Sequence, residues 1–329
     1  MTRLAPLVLL CAVLGCSRSP QREVRLAVPR DAITFLPVHL AGKLGYYEQS
    51  GLHVALSEVG GLAKGMEALL GGSVDVSAGS AEQVIQIAAE GRRVQSFLVI
   101  YQNTSRVLIV SPAAAKKIRQ ITDLKGARVG ISSPGSPTHL FLNYVLVAQG
   151  LAASDVSAIS IGTGLSSVEA IERGQVDAAV LVGSSLPLLA RRHPNLAILA
   201  DSRGTEGAQH VFGVASYPGA VLLSQEKWLQ GNPDLARRLV RAVKQAMRWM
   251  REHPAEEIRA AMDPSQRTAD VEADLQAIRD YGPTVSSEGM MPADAPAAMR
   301  KVLAISLERV RAADIDLAQT YTNQFAAEK

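Results

Sequence analysis

The stretch VALSEVGGLAKGMEALLGGSVD (residues 54–75) recurs without a gap, 102 positions later, as VSAISIGTGLSSVEAIERGQVD (residues 156–177). Identical residues in the two copies are Val54 and Val156, Gly60 and Gly162, Glu67 and Glu169, Ala68 and Ala170, Gly72 and Gly174, Val74 and Val176, and Asp75 and Asp177. Two copies at this spacing do not form a solenoid, whose repeats number at least about three and are about 20–50 residues long. The repeat therefore predicts two lobes built alike, with a cleft between them.

Each copy of the repeat predicts a strand, a helix and a second strand. An apolar strand runs into glycine, a helix-length segment follows, and a Gly-x-Val-Asp turn opens the next strand. This alternation predicts an α/β fold with parallel sheets covered by helices on both faces, in which ligands bind at the carboxyl ends of the strands. The predicted elements are strands 24–28, 53–59, 127–131 and 156–161 and helices 37–49, 137–149 and 234–253.

Composition bounds the size of the fold and argues against several chemistries. The chain has 329 residues, of which 47% are hydrophobic and 20% charged, enough for about two domains with their own cores. The formal net charge of +3 comes from scattered basic residues, so we expect no nucleic-acid partner. Cys11 and Cys16, the two cysteines, lie near the amino terminus, which leaves no thiol chemistry in the body of the chain. The six histidines show no metal-ligand spacing, so we expect no metal site.

The amino terminus indicates export. Arg3 precedes an apolar run, residues 4–14, that is too short to span a bilayer and is typical of a signal peptide. The run ends in Val13-Leu14-Gly15-Cys16, which resembles the lipobox of bacterial lipoproteins, where the cysteine is acylated and becomes the first residue. We therefore predict a signal peptide over residues 1–15 and a lipidated tether over residues 16–23. An ordinary cleaved signal with an accidental cysteine is the alternative.

Several short motifs together resemble those of one protein family. They are GKLGYYEQSGLHV (42–54), GSVD (72–75), DLKGARVGI (123–131), NPD (232–234), IDL (315–317) and YTN (321–323). From about residue 24 onward the chain is similar to the solute-binding proteins of ABC importers for sulfonates, nitrate, taurine and thiamine precursors. The order and spacing of the motifs carry this resemblance, since each motif is short.

The resemblance implies a type II periplasmic binding protein fold, in which two similar α/β lobes are joined by two crossover segments around a ligand cleft. We place the crossovers near residues 102–107 and 201–213. One lobe then comprises residues 24–105 and 209–329, and the other comprises residues 106–208. The resemblance further implies a monomeric receptor without enzymatic activity or cofactor, which hands a small solute to an ABC permease in the inner membrane. Such a receptor is exported, and we expect this one to be lipid-anchored on the periplasmic or cell-surface side.

Helix starts that follow strands form the candidate site. Ser80-Ala81-Glu82-Gln83 and Ser166-Ser167-Val168-Glu169 have the capping-box pattern, and Ser136-Pro137 pairs a cap with a proline at the first helical position. Each start leaves backbone N–H groups unpaired at the positive end of a helix dipole, so converging starts can hold an anion without a buried arginine. Serine begins helices throughout proteins, so the placement after strands, and no single cap, carries the prediction.

Residues 132–139 are the densest stretch of small hydroxyl residues and the best single candidate segment. We interpret Asp75 and Asp177 as turn and strand-entry residues, and His139 as either a ligand contact or an exposed helix residue. No aromatic cage is evident, which favours a polar or anionic solute over a flat ring. The predicted ligand-binding residues are Asp31, Thr34, Phe35, Gly79, Ser80, Tyr101, Asn103, Ser132, Ser133, Gly135, Ser136, Thr138, His139, Gly164, Gly183 and Ser184.

The helix predicted over residues 234–253 is amphipathic. Its basic side can meet acidic lipid or a permease, but such faces are most often simply solvated. The apolar stripe consists of Leu235, Leu239, Val243, Met247 and Met250, and the basic residues that lie largely off it are Arg237, Arg238, Arg241, Lys244, Arg248 and Arg251.

Two other classes of protein share this kind of fold. Related enzymes make the thiamine pyrimidine from pyridoxal phosphate with a lysine, a histidine and a cysteine cluster. The matching places here are Gly79, Gln83 and residues 214–218, and they carry none of those residue types. A LysR-type transcription regulator would need a helix-turn-helix ahead of the first strand, where this chain has an export signal.

We predict that Cys16→Ala abolishes acylation and either releases the protein from the membrane or leaves it unprocessed. The wild-type chain should incorporate labelled fatty acid and sediment with membranes, because two acyl chains anchor a protein stably, whereas the variant should take up no label. Cys11→Ala, inside the leader, is the matched control and should keep the label. Unlabelled wild-type protein in the soluble periplasmic fraction would contradict the anchor and favour the ordinary cleaved signal.

Overall fold

Residues 23–29 and 33–328 are described by the computed structural model. The strands are β1 (Glu23–Pro29), β2 (His53–Val59), β3 (Val76–Ser80), β4 (Val94–Val99), β5 (Val107–Val110), β6 (Arg128–Ile131), β7 (Ser157–Ser160), β8 (Ala178–Leu181), β9 (Ile198–Asp201) and β10 (Ala220–Gln225). The helices are α1 (Leu36–Lys43), α2 (Tyr46–Gln49), α3 (Leu62–Leu70), α4 (Glu82–Ala88), α5 (Pro137–Ala148), α6 (Leu165–Glu172), α7 (Ser185–Arg192), α8 (Gly204–Phe212), α9 (Glu226–Gly231), α10 (Pro233–Glu252), α11 (Ala255–Ala261), α12 (Val271–Tyr281), α13 (Ala295–Ser306) and α14 (Glu308–Ala312). Within the described residues, no helix combines the length and apolar character that a membrane span requires.

The strands form two five-stranded sheets with the same plan, one in each of two α/β lobes. The first sheet has the order β2-β1-β3-β10-β4 and the second β7-β6-β8-β5-β9. In each sheet one strand runs against its neighbours: β10 is antiparallel to β3 and β4, and β5 is antiparallel to β8 and β9. The prediction of two similar α/β lobes is confirmed, and the prediction of wholly parallel sheets is wrong. The reversed strand follows a crossover from the other lobe, so it enters its sheet at the carboxyl ends of the parallel strands.

A repeated arginine–aspartate pair accounts for the aspartates of the internal repeat. In β1, Arg25 donates to Asp75 from Nη2 at 2.7 Å and from its backbone N–H at 3.0 Å. In β6, Arg128 donates to Asp177 from the same two groups at 2.8 and 2.9 Å. Each aspartate returns its own backbone N–H to the carbonyl of its arginine. The interpretation of both aspartates as strand-entry residues is confirmed, since each fastens one strand start to the next.

One predicted helix is broken by a glycine, and two others are confirmed. The helix predicted over residues 37–49 is divided into α1 and α2, because Gly45 adopts a φ of 73°, the left-handed conformation that ends a helix. The helices predicted over 137–149 and 234–253 are α5 and α10, each within a residue of its predicted ends.

Both crossovers join the carboxyl ends of parallel strands. Residues 100–106 lead from β4 into β5, whose first residue pairs with the last residue of β8. Residues 202–219 lead from β9 into β10, whose first residue pairs with the last residue of β3. The carboxyl ends of the two sheets therefore face one another across these segments. The lobe boundaries predicted at 105/106 and 208/209 remain predictions.

A buried ion pair ties both crossovers to the start of α4. Arg106 donates to the two carboxylate oxygens of Glu82 at 2.9 and 2.8 Å, and the phenol of Tyr217 donates to the same carboxylate at 2.7 Å. The side chains of Arg106 and Glu82 are only 5% and 0% exposed. Burial opposes the charge on Arg106, but the Glu82 carboxylate more than offsets it, so the pKa of Arg106 is raised. Because Arg106 lies in the first crossover and Tyr217 in the second, this network fixes both segments.

The carboxyl-terminal helices lie against both lobes. Helix α13 packs against α4 and α5, and its apolar side chains belong to a core that extends from the first sheet into the second. Helix α12 packs against α7. Asp270, just before α12, pairs with Arg191 at 3.0 Å, and Asp280 near its end pairs with Arg203 at 3.3 Å. The last third of the chain thus braces one lobe against the other.

We predict that Glu82→Ala lowers the free energy of unfolding by about 3–5 kcal/mol, because it leaves the charge of Arg106 buried without a partner. Urea denaturation measures this change from the shift in the unfolding midpoint. The matched control is Glu67→Ala, which breaks an ion pair with Lys64 whose side chains are 69% and 69% exposed and should change stability by about 0.5 kcal/mol or less. Equal effects of the two variants would contradict the structural role of the Glu82–Arg106 pair.

Candidate functional site

Six helices begin where parallel strands end. In the first lobe α1, α3 and α4 follow β1, β2 and β3, and in the second α5, α6 and α7 follow β6, β7 and β8. Since the carboxyl ends of the two sheets face each other, these helix starts border the same space between the lobes. This edge-to-edge arrangement is the setting in which open α/β sheets bind ligands.

Three hydroxyl groups form a closed cluster at the start of α5. The oxygens of Ser132, Ser136 and Thr138 lie 2.8–2.9 Å from one another, and the backbone N–H of Ser132 donates to Thr138 at 2.8 Å. The predicted cap is confirmed, because Ser136 accepts the N–H of His139 and Pro137 occupies the first helical position. These bonds join the end of β6 to the first turn of α5.

His139 is oriented by the loop that precedes it. The backbone N–H of Gly135 donates to Nδ1 of His139 at 3.0 Å, so Nδ1 must be unprotonated and the proton of the neutral ring lies on Nε2. Burial lowers the pKa of His139, which favours this neutral form. Gly135 and Ser133 are exposed, and Gly135 has a φ of 73° with no atom within 4 Å of the place a Cβ would occupy. The segment therefore presents an open backbone and an imidazole N–H donor beside the hydroxyl cluster.

Two backbone donors of the second lobe are already paired with side chains. The N–H of Gly164 donates to Ser185 Oγ at 2.7 Å, and the N–H of Gly183 donates to the phenol oxygen of Tyr281 at 3.0 Å. Tyr281 belongs to α12, so this second bond joins the carboxyl-terminal third of the chain to the second lobe. Ser184 stands at the start of α7 and makes no side-chain cap there.

In the first crossover, the predicted contact Tyr101 is buried. Tyr101 is 1% exposed, donates its hydroxyl to the carbonyl of Ile33 at 3.1 Å and meets Tyr281 edge to face at 5.3 Å. Thr34, the residue after Ile33, is half-buried, whereas Phe35 is 2% exposed and belongs to the core. The predicted contact Asp31 lies outside the described residues.

Both predicted capping boxes are wrong. Ser80 ends β3, and its backbone N–H donates to Oε1 of Gln83 at 3.0 Å, which is one of the two bonds of a capping box. The Ser80 side chain does not make the second bond, and Ala81 holds the cap position of α4. Ser166 lies inside the first turn of α6, where its hydroxyl donates to the carbonyls of Ile161 and Thr163. Gly164 takes the cap position of that helix instead.

Gly79 allows close packing, and Asn103 links the two crossovers. A Cβ at Gly79 would lie 2.5 Å from Leu223 and 2.6 Å from Oε1 of Gln83, so strand β10 and α4 close over this glycine. Asn103 is 4% exposed, and its side chain accepts the backbone N–H of Tyr217 at 2.8 Å, which links the two crossovers.

Sequence reasoning missed Tyr281 and the Glu82–Arg106 pair. Tyr281 is 98 positions from Gly183, and no local pattern signals such a contact. An arginine and a glutamate of opposite charge in two different segments also carry no signal of pairing until the fold is known. The described residues include no cluster of His, Cys, Asp or Glu suited to a metal ion.

The sequence profile of the family described as NMT1/THI5 like matches residues 32–257, more than half of the chain. This chain belongs to the NMT1/THI5-like family. A relative of this chain, 4-amino-5-hydroxymethyl-2-methylpyrimidine phosphate synthase from Aspergillus parasiticus, is 26% identical over 247 residues, which cover 68% of this chain and 68% of that protein. The chain spans about two thirds of the length of the curated relatives it matches, 65% and 68% in the two matches.

Solved structures of the same fold include binding proteins. A protein from Bordetella bronchiseptica RB50 superposes with a TM-score of 0.85 and 29% identity, covering 92% of this chain and 95% of its own. The alkanesulfonate-binding protein SsuA from Xanthomonas axonopodis pv. citri, bound to MOPS, superposes with a TM-score of 0.68 and 18% identity over 92% of this chain and 98% of that one. The second likeness shows the fold alone. It confirms the predicted periplasmic binding protein fold for this member of the NMT1/THI5-like family.

We predict that His139 titrates below the ordinary range of histidine, because burial disfavours its charged form. The unfolded chain then takes up a proton at higher pH than the folded one, so the contribution of His139 to stability is complete above the unfolded pKa of about 6.5. That contribution is lost as the pH falls from there through the lower folded pKa. Imidazole NMR shifts, assigned with His139→Gln, measure the folded value, and a pKa at or above about 6.5 would contradict the prediction.

Proposed function

We propose that this chain is an extracytoplasmic receptor that captures a small polar or anionic solute between its lobes and delivers it to an ABC importer. The observation that carries the proposal is the arrangement of the two sheets, whose carboxyl ends face each other with six helix starts along the opposing edges. Helix starts suit polar and anionic ligands, because they present backbone N–H groups at the positive ends of helix dipoles.

Neutral donors, rather than a cationic side chain, would recognise the solute. Arg106 is consumed by Glu82, and Arg203 at the second crossover is held by Asp201 at 2.7 Å and Asp280 at 3.3 Å. The Nε2–H of His139 remains as a candidate donor in the second lobe, next to the exposed residues Ser133 and Gly135. This composition supports a compact solute bound through several hydrogen bonds, with sulfonates, nitrate and small zwitterions as the first candidates.

Lobe closure would work through the contact between Tyr281 and Gly183. Tyr281 packs on Tyr101 of the first lobe and accepts the N–H of Gly183 from the second, so it lies where the lobes meet. Helix α13, packed on α4 and α5, restrains the relative movement of the lobes. We therefore propose a small closing movement about the crossovers rather than a wide opening.

A pyrimidine synthase is the second candidate, since one relative carries that name. The residues present do not fit pyridoxal phosphate held as a Schiff base. The position that aligns with the enzyme lysine is Gly79, where Leu223 and Gln83 leave no room for a side chain without movement. Gln83, at the histidine position, is engaged with Ser80 and with the carbonyl of Leu62 at 3.1 Å. These contacts support a receptor without a cofactor or enzymatic activity.

The remaining parts of the proposal concern location and partners. We propose that the receptor is anchored through an acylated Cys16 and acts as a monomer beside an inner-membrane permease. The predicted ligand contacts Ser133, Gly135 and His139 would lie on the second-lobe wall of the cleft, and Thr34 on the first.

We predict that Tyr281→Phe weakens solute binding by up to about tenfold, because it removes the hydrogen bond from Gly183 that joins the lobes. The solute is first found by a thermal-shift panel of sulfonates, nitrate, taurine, bicarbonate and pyrimidines on the chain from residue 17 onward, since a ligand that binds the folded state raises the melting temperature. Calorimetry then compares the affinity of wild type and variant.

Tyr47→Phe is the matched control for this experiment. Tyr47 is 2% exposed and donates its hydroxyl to the carbonyl of Val38 at 2.8 Å, inside the first-lobe core. It should lose stability to a similar degree while its solute affinity stays at the wild-type value. Unchanged affinity in Tyr281→Phe would contradict the role of Tyr281, and a panel without any stabilising compound would contradict the receptor itself.

A further inference from the structure

Helix α10 carries a continuous line of basic residues along its outer side. The residues Arg237, Arg241, Lys244, Arg248 and Arg251, here called the basic face, follow one another at spacings of four, three, four and three positions. Such spacings place side chains in one row on a helix, and residues 237–251 make a row about 20 Å long. The opposite side of α10 is buried in the first-lobe core, so the basic face points outward.

Most of the charge on this face is not neutralised. Arg241 and Arg248 are exposed, and neither forms an ion pair with another described residue. Lys244 donates to the carbonyl of Ala326 at 2.7 Å and Arg251 to the carbonyl of Ser286 at 2.8 Å, contacts that leave both charges intact. Among the basic-face residues, Arg237 pairs with a carboxylate, that of Glu328, at 2.8 Å. The five basic residues of this face exceed the formal net charge of the whole chain, which is only +3.

We propose that the basic face of α10 docks on the anionic phospholipid headgroups of the membrane to which the protein is tethered. This row of positive charges has no large exposed apolar side chain beside it on α10. It therefore suits a diffuse anionic surface better than a protein interface, whose centre is usually apolar. An exposed basic side chain acts on such a surface only within a Debye length, about 8–10 Å at physiological salt. The row must therefore be held close to the bilayer.

The tether supplies that proximity, and this step rests on the proposed lipid anchor. Residue 23 begins β1, and Cys16 lies seven positions earlier, a span of about 25 Å at most for an extended chain. Helix α10 begins at the same end of the first sheet, because β10 runs antiparallel to β3 and ends beside the strand starts. The guanidinium of Arg238 also lies against Gly51, just before β2. An acylated Cys16 would thus hold the start of α10 within reach of the bilayer.

Vesicle sedimentation tests the docking without the anchor and without any solute. The unacylated chain from residue 17 onward is mixed with vesicles of phosphatidylcholine alone or with phosphatidylglycerol, at low and high salt. We expect binding to the phosphatidylglycerol vesicles only, and its loss at high salt. Binding that ignores lipid charge, or no binding at low salt, overturns the proposal. Neither result depends on whether Cys16 is acylated or which solute the cleft holds.

Charge reversal identifies the surface. The double variant Arg241→Glu/Arg248→Glu should bind phosphatidylglycerol vesicles at least about tenfold more weakly than wild type. The control Lys116→Glu/Lys117→Glu makes the same change in net charge on exposed residues of the second lobe and should keep most of the binding. Equal losses in the two variants would show that net charge alone drives binding and would overturn the assignment to α10. The variant Arg241→Gln/Arg248→Gln removes the two charges without reversing them. It should keep the wild-type melting temperature, so a loss of binding in this variant would not be due to misfolding.

Discussion

The buried pair of Glu82 and Arg106 is the interaction on which the relation of the two lobes depends. Removing a guanidinium and a carboxylate from water is costly, and it is tolerated only when the geometry and the remaining hydrogen bonds are good. Here both oxygens of Glu82 receive Arg106, and Tyr217 adds a third bond from the other crossover. The pair therefore holds both crossovers against the start of α4, where the chain passes between the two lobes.

The carboxyl-terminal third of the chain restrains the two lobes relative to each other. Helices α12 and α13 pack on α7 and α5 of the second lobe, and Tyr281 reaches the backbone of Gly183. For the receptor function proposed above, such bracing would leave few alternative lobe arrangements to lose on solute binding, so less of the binding free energy would be spent on ordering. The hydroxyl cluster at Ser132, Ser136 and Thr138 has the same effect locally, because its members already satisfy one another.

Local sequence patterns predicted most helices and strands. The features that these patterns did not predict depend largely on contacts between distant parts of the chain. The duplicated Gly-x-Val-Asp turns revealed two similar lobes, because each aspartate has one recurring task, to hold the arginine of a neighbouring strand. Gly45 broke a predicted helix, since a periodic apolar pattern does not register one left-handed residue. Ser166 and Ser80 failed as caps because serine hydroxyls also bond to nearby carbonyls or yield the cap position to a neighbour. The reversed strands β5 and β10 and the contact of Tyr281 depend on crossovers that no local window contains.

The reversed strand in each sheet has a consequence for the order of assembly during synthesis. All five strands of the second sheet lie between residues 107 and 201, so this sheet can close as soon as that stretch has been synthesised and is free to fold. The first sheet waits longer, because its fourth position is filled by β10 at residues 220–225. Until then β3 and β4 expose the unpaired edges between which β10 inserts, and such edges invite association with other chains. The first sheet is thus the first to be started and the last to be completed.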